Sequence, residues 1–297
     1  MKPLKPFDYF EPETLPEAGR IQSERGDGAY LLAGGTDLLV RMKKGEIRAT
    51  ALVNLKRIPG LDGIQPTPEQ GLFIGALTPI SALEQSSLVR GKYPVLGQAA
   101  GALGSPSIRN LATLGGNIGR ASPASDMAPP LMVLAGLVSV EGPNGRRALP
   151  LESIFAGPGK NTLKPGEVIT SFRLPEMPPR SGAVYLKLGR REGMDLALVG
   201  VAVFLNFAAG SDRPAEARIA LASVAPIPIR ARKAEEEILS GPLTEERVRR
   251  AALAAVSDAS PLSDLRASAS YRREMIRVLT CRAIGEARQR AEGGIVA

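Results

Sequence analysis

Two paired-glycine segments are the first places in the sequence where backbone groups could do chemistry. Residues 33–37 read Ala-Gly-Gly-Thr-Asp, and residues 113–117 read Thr-Leu-Gly-Gly-Asn. The first pair follows a predicted strand and opens a predicted helix, where backbone N–H groups and the helix dipole converge on an anion. Glycine lets a phosphate approach closely, and Thr36 adds a hydroxyl. Together the loops predict a pyrophosphate held between two subdomains, although either pair alone also suits an ordinary turn.

A third segment, residues 121–126, is a loop of small polar residues that reads Ala-Ser-Pro-Ala-Ser-Asp. Asp126 could accept hydrogen bonds from ribose hydroxyls or from a ring N–H. An aspartate before an apolar helix is also a common capping residue, so both interpretations stay open. Its closeness to the second glycine pair favours a place in the same site.

Other nucleotide-binding and catalytic motifs fail on spacing. Residues 157–162, Gly-Pro-Gly-Lys-Asn-Thr, resemble a nucleotide phosphate loop, but its first glycine would fall at Ile154, and Asn161 occupies the Ser/Thr position. No Gly-x-Gly-x-x-Gly follows a strand, and no Gly-x-Ser-x-Gly elbow is present. The sequence therefore does not support a Rossmann site or a serine-nucleophile site.

The missing residue types limit the chemistry further. The 297 residues include no histidine, no tryptophan and one cysteine, Cys281. One thiol cannot form an intrachain disulfide, a thiolate zinc site or an iron–sulfur cluster. Without histidine, the commonest general base is absent as well. We predict no metal ligands and no catalytic residue in this chain, so a bound cofactor or another chain must supply any reactive group.

The charge pattern argues against nucleic-acid binding. The net charge of +8 comes from 28 arginines and 10 lysines against 30 acidic residues, spread along the chain. The densest basic run, residues 272–290, is interspersed with glutamates, and few aromatic residues exist to stack on bases. The N-terminus has no secretory apolar core, and the longest uncharged stretch falls short of the ~20 residues that span a bilayer. We expect a soluble cytoplasmic protein with no membrane span.

Hydrophobic patterns predict the elements that position these loops. Strands are predicted at 8–10, 29–32 and 51–55, with a helix at 36–44. Thr36 is the predicted N-cap of this helix, and Gly45 lies just beyond its end. The segment from 29 to 55 is therefore a predicted β-α-β unit, with the Gly34-Gly35 turn leading into the helix.

The middle of the chain predicts short strands, tight turns and glycine-rich loops. Strands are predicted at 71–76, 137–140, 147–149 and 167–174, and helices at 94–103 and 131–137. The run from Gly142 to Gly145 predicts a hairpin, because Asn-Gly accepts positive φ. The proline cluster at 175–179, with Gly182, predicts an interdomain linker.

The last third predicts an α+β domain, because strands come first and helices follow. Strands are predicted at 183–188, 196–207 and 217–224, and helices at 228–239, after the Thr244 cap, and at 271–291. Tyr271, Met275, Leu279 and Ala283 are the predicted apolar face of the final helix.

Taken together, these segments resemble the FAD-binding medium subunit of the molybdenum hydroxylase family, of the carbon monoxide dehydrogenase and xanthine dehydrogenase type. The resemblance rests on residues 31–39, 108–118, 121–126, 185–191, 195–197, 222–230 and 271–273. It implies an α+β fold in which two FAD-binding subdomains of PCMH type, residues 1–57 and 58–177, precede a C-terminal α+β domain, residues 178–297, with a small antiparallel sheet and helices.

The resemblance also assigns residues to non-covalent FAD. The first glycine loop would wrap the pyrophosphate, the second would complete the cradle, and Asp126 would bind the flavin or its ribitol region. Lys187, at a predicted strand start, would have an electrostatic reason to lie near the diphosphate, but it also suits an exposed strand position. The implied cofactor-binding residues are Leu32, Ala33, Gly34, Gly35, Thr36, Asp37, Leu38, Leu39, Leu103, Thr113, Leu114, Gly115, Gly116, Asn117, Ser122, Ser125, Asp126, Leu163 and Lys187.

The implied function is electron transfer within an oxidoreductase complex. A large molybdopterin subunit would oxidise the substrate, a small subunit would carry 2Fe–2S clusters, and FAD in this chain would pass the electrons to an external acceptor. The implied assembly is a heterotrimer, with further dimerisation left open. Two alternatives remain: a stand-alone FAD-dependent oxidoreductase of the same fold, and a non-catalytic scaffold or nucleic-acid-binding module.

Overall fold

The computed structural model describes residues 3–69, 71–191 and 193–293. Its strands and helices in chain order are β1 Asp8–Phe10, α1 Leu15–Arg25, β2 Ala29–Leu32, α2 Leu38–Lys44, β3 Ala51–Asn54, β4 Ile64–Pro66, β5 Leu72–Gly75, α3 Ile80–Gln85, α4 Ser87–Lys92, α5 Pro94–Ala102, α6 Pro106–Arg109, α7 Leu114–Gly119, α8 Ala128–Val133, β6 Leu137–Gly142, β7 Gly145–Pro150, β8 Phe155–Gly157, β9 Lys160–Asn161, β10 Val168–Leu174, β11 Ser181–Leu188, β12 Val199–Phe207, β13 Pro214–Ala222, β14 Ile229–Arg230, α9 Arg232–Leu239, α10 Glu245–Asp258 and α11 Ala269–Ala291.

The N-terminal sheet is small and parallel. Strand β3 lies between β1 and β2, and all four of its residues are buried. Parallel neighbours need a crossover, which α2 provides between β2 and β3. The predicted β-α-β unit is confirmed, but the predicted helix start is wrong. Gly35 has a φ of +74°, outside the helical range, and α2 begins at Leu38 with Asp37, not Thr36, at its N-cap.

The second sheet is antiparallel, with strand order β4-β5-β10-β6-β7. The predicted hairpin is confirmed, because Gly142 pairs with Gly145 across a two-residue turn. The predicted helix at 131–137 is misplaced: α8 ends at Val133, and Leu137 already begins β6. Pro129 and Pro130 lie in the first turn of α8, where the missing proline N–H costs no helical hydrogen bond.

The C-terminal sheet, β11-β12-β13-β14, is antiparallel and buried on both faces. Alternate side chains point to opposite faces of a strand. On one face, Tyr185 and Phe204 join the core that contains α5 and α8, and on the other Val184 and Val203 pack with α9, α10 and α11. The C-terminal sheet therefore shares a core with the second subdomain. The boundaries predicted at 57/58 and 177/178 fall between elements and stay predictions.

Two sequence predictions at the edges of this sheet are wrong. Gly182 is not a linker residue: it lies inside β11, where an added Cβ would fall 2.0 Å from the carbonyl oxygen of Ala287 in α11. The helix predicted from 228 begins only at Arg232, because Ile229 and Arg230 form β14 and pair with β13. In the first case a backbone contact from a distant helix decided the local structure, and in the second the pairing with the preceding strand did.

The predicted apolar face of α11 is confirmed at Leu279 and Ala283, which are buried, and at Met275, which packs against the same core, but it is wrong at its first residue. Tyr271 is 46% exposed, whereas Arg272 is buried. The Arg272 guanidinium donates to the carbonyl oxygen of Leu198 at 2.6 Å, that of Ser223 at 3.2 Å and a carboxylate oxygen of Asp264 at 2.9 Å. These oxygens make burial of the charge tolerable, so Arg272 rather than Tyr271 is buried in the first turn of α11. No helix in the described ranges is both long and apolar enough to cross a membrane.

Asp264→Asn is expected to cost stability near neutral pH and progressively less in acid. Burial favours the neutral carboxyl, but the N–H groups of Arg266 and Ala267 and the Arg272 guanidinium lower the pKa of Asp264 from 3.8 to about 2. A carboxyl with a lowered pKa stabilises the fold above its unfolded pKa, and the contribution is lost as pH falls through the folded pKa.

Urea unfolding at neutral pH and at steps between pH 4 and pH 2 measures this effect. The free-energy difference between wild type and variant should shrink across that interval. An equal difference at every pH would contradict the assigned role of the Asp264 charge.

Candidate functional site

The two glycine segments meet although they are far apart in sequence. The turn predicted at the second segment is wrong, because Gly115 and Gly116 lie in the first turn of helix α7. An added Cβ on Gly34 would lie 2.0 Å from the carbonyl oxygen of Leu111 and 2.9 Å from Cα of Ala112. An added Cβ on Gly116 would lie 3.6 Å from that of Ala33. The first loop is therefore seated directly on the backbone that leads into the second, and position 34 has no room for a side chain.

The first loop presents a run of uncommitted backbone donors. The N–H groups of Gly34, Gly35, Thr36 and Asp37 have no acceptor within the described ranges, and neither does the Thr36 hydroxyl. Their residues are partly to largely exposed, so these groups can reach a ligand. Several adjacent N–H donors form a concave site that suits an anion such as a diphosphate.

The second loop is different, because its own N–H groups are already bonded. Those of Leu114 and Gly115 donate to the carbonyl oxygens of Thr78 and Ala76, and that of Gly116 donates to the Thr113 hydroxyl at 3.1 Å. Thr113 is thereby the N-cap of α7. The backbone of this segment is therefore fixed by the protein itself, and Asn117 Nδ2 is a donor with no acceptor among the residues described.

Ser122 and Ser125, the serines of the third segment, hold the Asn117 side chain and the adjoining turn in place. The Ser125 hydroxyl donates to Asn117 Oδ1 at 2.6 Å and accepts from the N–H of Ala128 at 3.2 Å. Ser125 is 1% exposed, so these bonds hold the Asn117 amide in one orientation. Ser122 accepts from the N–H of Ala124 and stabilises the turn.

Asp126 lies in a buried ionic cluster between the second subdomain and the C-terminal sheet. Its Oδ1 accepts from the Tyr185 hydroxyl at 2.8 Å, and its Oδ2 from Lys187 Nζ at 2.9 Å. Lys187 also donates to the carbonyl oxygen of Ala102 at 2.9 Å. The Asp126 and Lys187 side chains are 7% and 12% exposed. Lys187 lies near the end of β11, not at its start, and faces a carboxylate.

Burial and charge oppose each other in this cluster. Burial raises the pKa of Asp126, while the Lys187 charge and the hydrogen bonds from Lys187 and Tyr185 lower it. Burial and the neighbouring Asp126 carboxylate raise the pKa of Tyr185 well above its ordinary value. Tyr185 therefore stays a neutral donor. The cluster fastens the C-terminal sheet to the loop that follows the second glycine pair.

The chain matches two family models in succession. Residues 5–177 match the model described as the FAD binding domain in molybdopterin dehydrogenase. The chain belongs to this family of FAD-binding domains. Residues 184–287 match the model of the CO dehydrogenase flavoprotein C-terminal domain.

Named relatives extend the similarity to nearly the full length. The chain is 34% identical over 283 residues to the carbon monoxide dehydrogenase medium chain of Hydrogenophaga pseudoflava, which covers 95% of this chain and 96% of the relative. It is 31% identical over 286 residues to the xanthine dehydrogenase FAD-binding subunit of Escherichia coli O157:H7, which covers 96% and 97%. A solved structure of the Hydrogenophaga enzyme, lacking the Mo-pyranopterin moiety of its cofactor, matches with a TM-score of 0.92 at 34% identity, covering 96% of this chain and 98% of that one.

The first glycine loop fits the FAD of this family. FAD carries a negatively charged pyrophosphate, and the N–H groups from Gly34 to Asp37 are donors without protein acceptors in the part of the chain described. The glycine contact with Leu111 holds these donors at the seam between two subdomains. The residues present therefore suit the group that the family model names.

Several predicted FAD-binding residues support the loops through packing. Leu32 is buried, and Leu38 and Leu39 pack beside it in a small core under the first loop. Leu103 lies in the main core next to Ala102, and half-buried Leu163 packs against that core. These side chains offer apolar surface rather than polar contacts.

Two polar residues at the site were missed by the sequence analysis. Tyr185 precedes Lys187 by two residues on β11, so period-two alternation could have placed both on one face. Arg120 donates through Nε to Asp37 Oδ2 at 2.7 Å, although 83 residues separate them. No local pattern in the sequence signals that second contact.

Proposed function

We propose that this chain is the FAD-carrying electron-transfer subunit of a molybdenum-containing hydroxylase or dehydrogenase. Family membership over residues 5–177 and similarity to medium and FAD subunits over nearly the whole chain support it. The structural observation that carries the proposal is the run of uncommitted N–H donors from Gly34 to Asp37, seated on the backbone at Leu111.

The proposed division of labour separates direct contacts from supports. The N–H groups of residues 34–37 and the Thr36 hydroxyl hold the pyrophosphate, and Asn117 Nδ2 donates from the opposite wall. The buried Asp126–Lys187 pair borders the flavin-side end of the site. The other residues of the predicted set shape the two loops; they are Leu32, Ala33, Leu38, Leu39, Leu103, Thr113, Leu114, Gly115, Gly116, Ser122, Ser125 and Leu163.

FAD supplies the capacity to take up electrons singly and to release them in pairs. The chain itself has three tasks in this proposal: to bind the cofactor, to orient it and to limit its contact with water. Tyr185 stays protonated, and Lys187 stays fixed by two acceptors, so the buried polar groups keep one arrangement. None of these tasks requires a histidine, a metal ligand or a second cysteine.

We propose a large molybdopterin subunit and a small subunit with 2Fe–2S clusters as the partners, in a heterotrimer. The names of the relatives support this assembly, since they include a medium chain of carbon monoxide dehydrogenase and a FAD-binding subunit of xanthine dehydrogenase. The single cysteine suits a reducing compartment, and we propose the cytoplasm as the location.

The purified chain, expressed with ample flavin, is expected to show an oxidised-flavin absorbance spectrum and to release intact FAD on denaturation. Release without proteolysis shows that the cofactor is non-covalent, and chromatography distinguishes FAD from FMN. A folded chain that stays colourless after incubation with FAD would contradict the proposal.

The same preparation separates this function from that of a stand-alone oxidoreductase. The isolated flavoprotein should not be reduced by substrates such as xanthine, aldehydes or carbon monoxide, and reduction should require the co-expressed molybdopterin and iron–sulfur subunits. Substrate-dependent flavin reduction by the chain alone would favour the stand-alone enzyme.

A further inference from the structure

We propose that Arg120 is a positioning residue for the pyrophosphate of FAD, because it joins the two glycine loops and neutralises Asp37 beside the phosphate-binding N–H groups. The inference rests on the proposed function, since it concerns the same site.

Arg120 follows α7 directly and so lies just after the second glycine loop. Its Nε donates to Asp37 Oδ2 at 2.7 Å, and Asp37 is the residue that ends the first loop and caps α2. This ion pair is therefore a polar connection between the two loops, in addition to the backbone contact at Gly34. Its side chains are 30% and 49% exposed, so a ligand can reach them.

The negative charge of Asp37 would repel a diphosphate, and the ion pair with Arg120 offsets that charge. A carboxylate next to N–H donors aimed at a diphosphate would repel the ligand, because like charges at close range disfavour each other. Arg41 also lies near Asp37, but at 3.8 Å, and its Nε is hydrogen-bonded to Glu46. Arg120, at 2.7 Å, is therefore the main counter-charge of Asp37.

The β8–β9 hairpin, whose sequence resembles a nucleotide phosphate loop, has a glycine where it contacts the Arg120 guanidinium. An added Cβ on Gly159 would lie 2.8 Å from Arg120 Nη1. Gly159 has a φ of +70°, and its N–H donates to the carbonyl oxygen of Ala121, which fixes the turn beside Arg120. Residues 157–160 thus serve as a wall behind the arginine rather than as a phosphate loop.

Arg120 has donors left for the ligand. Nε is used by Asp37, whereas Nη1 and Nη2 have no hydrogen-bond acceptor in residues 3–69, 71–191 and 193–293. A guanidinium held at one corner presents its remaining N–H groups in a planar fork, a geometry that suits phosphate oxygens. The arrangement adds a positively charged donor to the neutral N–H groups of the first loop.

FAD titration of the apoprotein by flavin fluorescence, at low and high salt, tests the proposal. Arg120→Gln is expected to raise the FAD dissociation constant by about tenfold or more at low salt. A tenfold change corresponds to about 1.4 kcal/mol of binding free energy. The loss should shrink at high salt, because salt screens exposed charges. Arg120→Lys keeps the positive charge but loses the planar fork of donors. Its FAD affinity should therefore lie between those of wild type and Arg120→Gln.

The control and the rescue separate electrostatics from a general structural effect. Arg146→Gln removes an arginine from a similar 2.7 Å pair, with Glu141 on the β6–β7 hairpin, and should leave FAD binding unchanged. Adding Asp37→Asn to Arg120→Gln removes the uncompensated carboxylate and should recover part of the lost affinity. A purely structural role for Arg120 would show neither the rescue nor the salt dependence.

The outcomes also separate this inference from the proposed function. If wild type binds no FAD, the proposed function fails. If wild type binds FAD and Arg120→Gln binds it equally well, or if Asp37→Asn gives no recovery, the proposed function stands and the role of Arg120 is wrong.

Discussion

Gly34→Ala is expected to weaken FAD binding by roughly two orders of magnitude. The new Cβ would lie 2.0 Å from the carbonyl oxygen of Leu111 and 2.8 Å from its carbonyl carbon, both of them backbone atoms. Neither atom can move aside as a flexible side chain could, so the first loop must separate from the second. Overpacking of this kind costs about 1–3 kcal/mol. We expect affinity to fall roughly 100-fold, because each 1.4 kcal/mol is about a factor of ten.

Gly91→Ala is the matched control for that substitution. Gly91 lies in α4, and an added Cβ there meets no atom within 4 Å. Alanine is a better helix former than glycine by up to about 1 kcal/mol, so this variant should keep FAD and be no less stable. Flavin content after purification and FAD titration of both variants measure the difference. If Gly34→Ala keeps FAD as well as Gly91→Ala does, the first loop is not the pyrophosphate site.

The second large effect is expected at the buried ionic cluster. Asp126→Asn removes the counter-charge of Lys187, whose side chain is only 12% exposed, and leaves an ammonium group buried without a carboxylate. Breaking a buried ion pair from one side typically costs about 3–5 kcal/mol. Because Asn can still accept from Tyr185, the loss reports mainly on the charge. Urea unfolding of the apoproteins measures it without the stabilising effect of bound FAD.

A double variant tests whether the uncompensated charge is the cause. Asp126→Asn combined with Lys187→Met removes both charges, and much of the lost unfolding free energy should return. Glu141→Gln, which breaks an exposed pair with Arg146, should cost no more than about 1 kcal/mol. A cost for Asp126→Asn no larger than that of Glu141→Gln would show that the cluster does not fasten the C-terminal sheet.

Much of the strand structure was predictable because it depends on local pattern. β1 and β2 have the predicted bounds, and the hairpin at 142–145 follows from turn residues that favour tight reversal. Thr244 caps α10 as predicted, because its hydroxyl accepts from the N–H of Arg247 within the same turn. In each of these cases the interacting groups are neighbours in sequence.

The sequence predictions are wrong mainly where contacts with other segments of the chain determine the secondary structure or the burial of a residue. Gly182 reads as part of a linker, but the close approach of α11 places it inside β11. Arg272 belongs to the densest basic run, and Tyr271 was the residue predicted to face the core, but three oxygens from separate loops bind the Arg272 guanidinium in the interior. α9 starts later than predicted because Ile229 and Arg230 pair with the preceding strand β13. Propensity could not anticipate these contacts, because they exist only after the chain has folded.

The sequence by itself determined the chemistry available to this protein: two glycine loops, a polar segment ending in Asp126, no histidine and a single cysteine. Those residue types pointed to a bound anionic cofactor and excluded a thiolate zinc site and an iron–sulfur cluster. Only the tertiary structure decided which loop keeps its N–H groups uncommitted, that Asp126 and Lys187 bond to each other, and that Arg120 reaches Asp37. Residue types limit which bonds can form, whereas the packing of distant segments decides which donors find protein partners and which remain for a ligand.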